Sequence, residues 1–348
     1  MVKKRVSGKN NRNFKKKLNS DSKKSDKIKS EKKGFFNKIS RMMLANDEFF
    51  IFIIFIVIIT VVAAISPQFR TLYNVKIVLR QFSLITIVAM GQALVIITGG
   101  FDLSVGAIVA LCGMAGTYFA VTLHWPVGVA LLMATLIGAT CGVFNGFLIT
   151  RIRINALIAT LASGWIFQGV LLVTTKGWPI SNFPPNFAFL GQGHVLGIPL
   201  PVILMVVIGI ILSIFLSRTI YGRTFYAIGG NEKASTFAGI PVNKYKFTAF
   251  VICGALAGFA GIVLDARVGS AQATAGLDWT LPTVAAAVIG GVALSGGRGK
   301  IYGVIIGSAL LGIINNILVL FKVSSYWQSL ISGFVLILAV TADSLRKK

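Results

Sequence analysis

Charged residues are nearly absent from a long stretch of this chain, and that absence is the strongest constraint on its fold. Between Glu48 and Glu232 there is one acidic residue, Asp102, and between Arg80 and Arg151 there is no lysine or arginine. In the whole chain 13% of residues are charged and 55% are hydrophobic, whereas a soluble domain carries about 25% charged residues. Because so little charge cannot cover a water-exposed surface, we predict that the chain faces lipid in a cell membrane.

Apolar runs of about the length that crosses a membrane recur after residue 48. A hydrocarbon core about 30 Å thick takes roughly 17–25 apolar residues per helix. The runs therefore predict an all-α membrane protein with about ten transmembrane helices. Their approximate positions are 49–65, 82–98, 103–122, 127–149, 156–174, 201–217, 247–264, 282–297, 301–321 and 327–342.

The lysine and arginine residues outside these runs are distributed unevenly between the two sides of the membrane. With the N-terminus inside, the inner segments hold 28 of the 34 basic residues and the outer segments hold six. Cytoplasmic segments of membrane proteins carry such an excess of lysine and arginine. The distribution predicts a multi-pass protein of the inner or plasma membrane, with an even number of helices and both termini in the cytoplasm.

The first 48 residues differ in composition from the rest of the chain. They contain 16 basic residues, five acidic residues and few large aliphatic ones. This composition predicts a disordered polybasic cytoplasmic tail, followed by a transmembrane domain at 49–345. The tail is interpreted as a topology signal, with attraction to anionic lipid headgroups as the alternative. Because the other basic residues lie in short loops, no nucleic-acid partner is expected.

The reactive side chains do not make up an enzyme active site. The two histidines, His124 and His194, fall in outer loops, and the three cysteines lie inside apolar runs. The segment Ser295–Lys300 ends in Gly-Lys, but Leu294 and Ile301 occupy positions where a phosphate-binding loop needs glycine and serine or threonine. We therefore expect no catalytic residue, no metal and no cofactor, and any ATP hydrolysis would come from another chain.

The solitary acid Asp102 lies in a glycine-interrupted segment between two apolar runs. Gly99 and Gly100 interrupt the helix after the second run, and Asp102 precedes Ser104 at the start of the next run. Two interpretations are open: the carboxylate lines or gates a pathway through the membrane, or it only caps the next helix. The first is favoured, because interrupted backbone within a membrane is tolerated only where it lines a cavity or packs in protein.

A weak internal repeat links this segment to a second one near residue 290. The sequence Gly-Gly-x-x-Leu-Ser occurs at 99–104 and again at 290–295, and a weaker similarity relates 142–145 to 312–315. In transporters with internal repeats, binding sites tend to lie where the halves meet. The asparagines can equally join helices by hydrogen bonds. The expected pathway or gate residues are Gly99, Gly100, Asp102, Ser104, Asn145, Asn315 and Ser295.

Several motifs that follow one another in a fixed order resemble those of a transporter family. They lie at residues 98–106, 145–161, 229–242, 269–276 and 288–299, and the first reads TGGFDLSVG. Over about residues 49–345 the chain is similar to the ribose/xylose/galactose-type permeases of bacterial ABC importers. The resemblance implies a permease subunit that carries a sugar, either a ribose-like pentose or a hexose, across the membrane.

The same resemblance implies the partners and a coupling segment. The expected partners are a cytoplasmic ATP-binding-cassette ATPase, an extracytoplasmic solute-binding protein and a second permease copy or a paralogue. The cytoplasmic loop 218–246 resembles the segment that docks on the ATPase, with Glu232, Lys233, Ala234 and Gly239 as coupling residues. The alternatives are import of a furanosyl signal or a nucleoside, and a stand-alone secondary transporter without an ATPase.

Overall fold

The computed structural model describes residues 47–324 and, beyond them, separate helical residues at 327, 330, 331, 333, 334, 337 and 341. The chain divides into two compact units, residues 1–53 and 54–348. In the first unit only residues 47–53 are described, and they are helical. The predicted tail at 1–48 therefore lies almost entirely outside the described residues, and of the predicted helix at 327–342 seven of the 16 residues are described, all of them helical.

Twelve α-helices and one short hairpin make up the continuous described part of the chain. Tyr118–Thr122 continues the third helix as a π-helix, and Leu277–Trp279 is a 3-10 turn. The helices are α1 Asp47–Ile65, α2 Leu72–Ile97, α3 Val105–Thr117, α4 Val127–Thr150, α5 Ala156–Thr175, α6 Pro185–Gln192, α7 Leu200–Arg218, α8 Ile220–Gly230, α9 Glu232–Phe237, α10 Val242–Val268, α11 Thr280–Ile289 and α12 Ile301–Leu320, and the hairpin strands are β1 His194–Val195 and β2 Ile198–Pro199.

The described helices confirm a mostly helical membrane protein. Seven of them are long and apolar enough to cross a membrane: α2, α3 with its π-helical extension, α4, α5, α7, α10 and α12. Residues 55–65 and 277–289 form shorter apolar helices. Only 28% of the apolar window is buried in each of α4, α5 and α7. These three helices therefore present most of their apolar side chains to lipid.

The predicted transmembrane helix at 282–297 is wrong. α11 ends at Ile289, and residues 290–300 are not helical. Gly291, Gly296 and Gly297 take φ angles of 88°, 83° and 74°, a region that glycine adopts far more readily than other residues. Hydropathy did not reveal this interruption, because Val292, Ala293 and Leu294 lie among the glycines and no charged residue occurs before Arg298.

α10 is the central helix of the described residues, and glycines bring α4 into close contact with it. α10 packs on α2, α3, α4 and α6. A Cβ on Gly138 would lie 2.3 Å from the carbonyl oxygen of Gly254, and one on Gly258 would lie 2.4 Å from that of Ala134. Real Cβ atoms do not approach so closely, so this helix pair depends on glycine at the crossing.

The connection between α5 and α7 contains α6 and the hairpin. Leu196 and Gly197 form the two-residue turn, with φ angles of 52° and 79°, the geometry that tight hairpins favour. α6 is fixed against the end of α10, since a Cβ on Gly191 would lie 2.1 Å from the backbone nitrogen of Arg267. The turn residue Leu196 is 97% exposed.

Candidate functional site

A non-helical segment at 98–104 separates α2 from α3, as the glycine pattern predicts. α2 ends at Ile97 and α3 begins at Val105, and Gly99 takes a φ of 79°. Gly100 packs against Phe250 of α10, where a Cβ would lie 3.3 Å from the ring. The interruption is therefore stabilised by packing against protein rather than exposed to lipid.

Asp102 is fully buried in this segment. Its Oδ1 atom accepts hydrogen bonds from the backbone N–H of Ser104 at 2.9 Å and from the Ser104 hydroxyl at 2.6 Å. Ser104 directly precedes the first residue of α3. The carboxylate therefore fixes the turn ahead of α3, as an Asx turn does. The second carboxylate oxygen, Oδ2, remains available to accept hydrogen bonds from other helices.

Asn145 of α4 and Ser163 of α5 complete a buried polar cluster around Asp102. The Asn145 amide donates to the Ser104 hydroxyl at 2.7 Å and to Oδ2 of Asp102 at 3.3 Å. The Ser163 hydroxyl donates to the Asn145 side-chain oxygen. We call Asp102, Ser104, Asn145 and Ser163 the Asp102 cluster, and all four are 0% exposed. The cluster joins three predicted pathway residues to Ser163, which the sequence analysis missed.

The Asp102 carboxylate has only neutral hydrogen-bond donors. Within residues 47–324 the ion pair formed is that between Lys246 and Glu232, so no cation pairs with Asp102 there. A carboxylate buried without an opposite charge carries a large desolvation cost. A protein retains such a group inside a membrane where it has a function.

A backbone hydrogen bond connects the end of α2, directly before the 98–104 segment, to the 290–300 segment. The Gly297 N–H donates to the carbonyl oxygen of Ile97 at 2.9 Å. Gly229 of α8 lies against both, since its Cβ would sit 1.8 Å from the Ile97 oxygen and 2.3 Å from the Gly297 nitrogen. We call Ile97, Gly229 and Gly297 the glycine junction. The two segments related by the weak repeat therefore meet each other and α8 at one point.

A second contact attaches α8 to the 290–300 segment. The Tyr226 hydroxyl donates to the carbonyl oxygen of Gly299 at 2.7 Å. Burial raises the pKa of Tyr226, so the phenol stays protonated at physiological pH and remains the donor. α8 is thus held to this segment by a hydrogen bond as well as by the junction.

The predicted coupling residues lie on the short exposed helix α9, which follows α8 directly. Glu232, Lys233 and Ala234 are in α9, and Gly239 follows it with a φ of 76°. Asn231 caps the helix by accepting the Ala234 N–H at 2.9 Å. Glu232 pairs with Lys246 of α10 at 2.6 Å.

One aromatic side chain of α9 is almost fully exposed to solvent. Phe237 at its C-terminal end is 90% exposed. Aromatic side chains are enriched at the cores of protein interfaces. The coupling prediction did not include this residue.

A cavity of about 510 Å³ lies between α9 and the Asp102 segment. Gly99, Gly100 and Phe250 line it, together with the paired residues Glu232 and Lys246. Arg153 and Asn155, from the loop after α4, also border it. Movement of α9 against this loop would change the volume in front of the glycine-interrupted segment.

Two of the predicted pathway residues lie outside the Asp102 cluster. Ser295 is exposed in the 290–300 segment, and Asn315 is half-buried on α12. Asn316, the neighbour of Asn315, makes a buried amide contact instead. It exchanges hydrogen bonds with Asn74 of α2 at 2.9 and 3.1 Å. The Asn316–Asn74 pair joins α12 to α2.

Asp265 is a second buried acid, which the sequence analysis missed. The predicted helix at 247–264 stops one residue short of it, whereas α10 continues to Val268 and ends at Gly269, whose φ is 80°. Asp265 is 2% exposed and accepts a hydrogen bond from Thr117 at 3.1 Å. Gly269, a typical helix C-terminal residue, was the available signal that the helix extends past Asp265.

A family model described as the permease component of branched-chain amino acid transport systems matches residues 74–340. The match covers most of the chain and includes the Asp102 cluster, the glycine junction and α9. This chain belongs to that permease family. The family resemblance stated from the motifs is confirmed, and the permease is a membrane transport subunit.

The curated relatives of the permease are named as parts of sugar and signal import systems. The ribose import permease of Bacillus subtilis is 42% identical over 289 residues, which are 82% of this chain and 89% of the relative. The D-allose permease of Escherichia coli is 35% identical over 320 residues, 92% and 97% of the two chains. The autoinducer 2 import permease of an Enterobacter species is 33% identical over 306 residues, 87% and 88%. No solved structure matches the permease.

Proposed function

We propose that the permease carries a sugar, a ribose-like pentose or a hexose, through the membrane as one subunit of an ATP-driven importer. A separate ATPase supplies the energy, and an external binding protein delivers the solute. The observation that carries the proposal is the glycine junction, because α8 connects the docking helix α9 to both interrupted segments. The names of the relatives, which include ribose and allose permeases, support a sugar as the solute.

In the proposed mechanism, ATP binding and hydrolysis move α9 through contacts at Phe237 and Glu232–Ala234. α8 then displaces the two segments that meet at the junction. The residues proposed to line or gate the path are Gly99, Gly100, Asp102, Ser104, Asn145, Ser295 and Asn315. Amide, hydroxyl and carboxylate groups are suitable partners for the hydroxyl groups of a sugar.

The proposed assembly contains two permease subunits, either identical or paralogous, each with about ten membrane crossings, of which α11 contributes only a short helix, and with cytoplasmic termini. The tail at 1–48 lies in the cytoplasm, as does the coupling loop 218–246. The excess of basic residues on that side supports this orientation. α10 also supports two opposite sides, since Lys246, which pairs with Glu232 of α9, lies near its first residue and Arg267 lies near its last.

Import of a furanosyl signal is the second candidate function. The 33% identity to an autoinducer 2 import permease, over most of both chains, favours it. Its solute also presents hydroxyl groups on a five-membered ring, so the same polar cluster would serve. The two candidates differ in solute and share the mechanism.

Reconstitution in vesicles tests the proposal. The permease with its ATPase, external binding protein and ATP is expected to concentrate a radiolabelled sugar, and competition by ribose, allose or a furanosyl signal identifies the solute. The permease alone is expected to move nothing against a gradient. Concentrative uptake by the permease without the ATPase would contradict the proposal.

A further inference from the structure

The connection between α5 and α7 contacts two arginines of other helices, which the proposed transport path does not use. Arg80 comes from α2 and Arg267 from the last turn of α10. The Arg80 guanidinium donates to the backbone oxygen of Gln192 at 2.8 Å, and the Gln192 amide donates to the backbone oxygen of Arg267 at 3.2 Å. Gln192 therefore brings the arginines of two helices to one place, and we call them the arginine pair.

Neither arginine has a charge partner in the part of the chain that the structure describes. The ion pair formed there is between Lys246 and Glu232. The Nε atoms of Arg80 and Arg267 are both buried and make no hydrogen bond. Like charges in proximity are unfavourable, and an anion binding at the half-exposed side chains of the two arginines would relieve that repulsion.

The neighbouring histidine orients Arg80 without adding charge. His194 Nε2 lies 2.7 Å from the Arg80 guanidinium. Partial desolvation and the charges of Arg80 and Lys76 lower the pKa of His194. The ring is therefore neutral at physiological pH and accepts a hydrogen bond from Arg80. The positive charge of the site resides on the two arginines, with Lys76 nearby, and the Arg80 guanidinium is held in place before any ligand arrives.

The surroundings of the arginine pair favour a protein ligand over a lipid headgroup. The hairpin beside it exposes Leu196 at 97% and Ile198 at 47%. Apolar side chains next to oriented arginines are typical of the centre of a protein interface. Segments that attract anionic lipid instead carry clusters of many basic residues. Residues 177–200 contain no lysine, arginine, aspartate or glutamate.

We propose that Arg80 and Arg267 bind a surface carboxylate of the external binding protein, with Leu196 contacting an apolar patch beside it. This inference rests on the proposed function, in which such a protein docks on the outer side. Opposite charges at an interface accelerate association and fix orientation. The arginine pair would therefore determine where the binding protein sits on the permease.

Affinity measurements on the reconstituted importer test the inference. The permease and its ATPase are placed in nanodiscs, and binding of the sugar-loaded binding protein from the same importer is measured at low and high salt. Arg80→Gln and Arg267→Gln are each expected to weaken binding by about tenfold or more and to reduce its salt dependence. Arg80→Lys keeps the charge and is expected to lose less affinity than Arg80→Gln.

Matched controls separate docking from folding. Arg70 is an exposed arginine ahead of α2 and outside the pair, so Arg70→Gln is expected to bind with wild-type affinity. Leu196→Ser changes a side chain that is almost wholly exposed, so it is expected to weaken binding without changing the thermal unfolding midpoint. Wild-type affinity in Leu196→Ser and in both glutamine variants overturns the inference.

The remaining outcomes distinguish this inference from the proposed function. If the wild-type importer takes up sugar and the arginine variants bind normally, docking at the arginine pair is wrong and the proposed function stands. If the binding protein does not change sugar uptake by the wild-type importer, the proposed function itself is contradicted. If the variants change activity only in vesicles containing phosphatidylglycerol, the pair binds lipid and the inference is overturned.

Discussion

At the scale of single residues, the Asp102 cluster combines a carboxylate with groups that a sugar hydroxyl can replace. Asp102 accepts from Ser104 and Asn145, and Asn145 accepts from Ser163. The donor in each of these contacts is a neutral side-chain group. A solute hydroxyl can take the place of one donor without leaving the carboxylate unpaired.

Asp102→Ala is expected to abolish uptake while the protein still inserts in the membrane. The substitution removes the acceptor of the Ser104 N–H and leaves the Asn145 amide with fewer partners, at about 1–3 kcal/mol for each unpaired group. Uptake in vesicles and the thermal unfolding midpoint are the measurements. Thr140→Ala, on the exposed side of α4, is the control and should transport normally. Normal uptake by Asp102→Ala would reduce Asp102 to a turn-forming residue.

The sequence predicted part of this site, for reasons visible in particular residues. Asp102 and Asn145 could be identified because strongly polar side chains are rare in apolar helices. Ser163 could not, because a lone serine in such a helix usually bonds its own backbone. Choosing between Asn315 and Asn316 required the rotation of α12 against α2, which hydropathy does not supply.

At the scale of secondary-structure elements, glycine determines which backbones touch. Helix–helix crossings such as α4–α10 and the junction of α8 with two non-helical segments both place a glycine where a Cβ does not fit. The sequence predicted the interruption after α2 correctly and the one after α11 wrongly. Both are Gly-Gly segments, but Asp102 lies two residues after the first pair of glycines, whereas Arg298 and Lys300 lie beyond the predicted end of the second helix at residue 297.

Gly229→Ala is expected to uncouple ATP hydrolysis from transport. Its Cβ would collide with the Ile97 oxygen and the Gly297 nitrogen, so α8 must separate from the two segments. The ratio of sugar transported to ATP hydrolysed measures the effect and should fall by about tenfold, as an order of magnitude for one lost tight contact. Gly230→Ala is the control, since its Cβ would have no atom within 4 Å. Equal ratios in the two variants would rule out the junction as the link.

Gly138→Ala is expected to destabilise the permease, because the added methyl group would lie 2.3 Å from the Gly254 oxygen. Such overpacking costs about 1–3 kcal/mol. Gly128→Ala, on the same helix with nothing within 4 Å of its Cβ, should leave the stability unchanged or raise it by up to about 1 kcal/mol. Thermal unfolding in detergent compares the two. A lower midpoint for Gly128→Ala than for Gly138→Ala would contradict this account of the crossing.

At the scale of the whole molecule, α2 and α10 each extend from the arginine pair to the α9 side. Arg80 and Ile97 are 17 residues apart on α2, about 26 Å at 1.5 Å per residue. Lys246 and Arg267 are 21 residues apart on α10, or about 32 Å. These lengths match the thickness of a hydrocarbon core. Two docking sites at the opposite ends of the same helices fit a subunit that receives solute on one side and energy on the other.

Cysteine labelling in intact cells tests this orientation. The native cysteines Cys112, Cys141 and Cys253 are buried, so background labelling should be low. Leu196→Cys is expected to react with a membrane-impermeant maleimide added outside. Phe237→Cys, similarly exposed at 90%, should react only after the membrane is opened. Labelling of Phe237→Cys from outside, with Leu196→Cys reacting only after the membrane is opened, would show that the orientation is the opposite one.

The hydrogen bond from Gly297 to Ile97 has a consequence for biosynthesis. Its donor is translated two hundred residues after its acceptor, so the Ile97 carbonyl enters the bilayer long before its partner exists. During synthesis the Ile97 carbonyl oxygen therefore lacks its Gly297 donor, and it is hydrogen-bonded by water or by the insertion machinery. The membrane-spanning helices up to α7 can therefore be inserted early, but their final arrangement around the interruption is completed only when about the last sixth of the polypeptide leaves the ribosome.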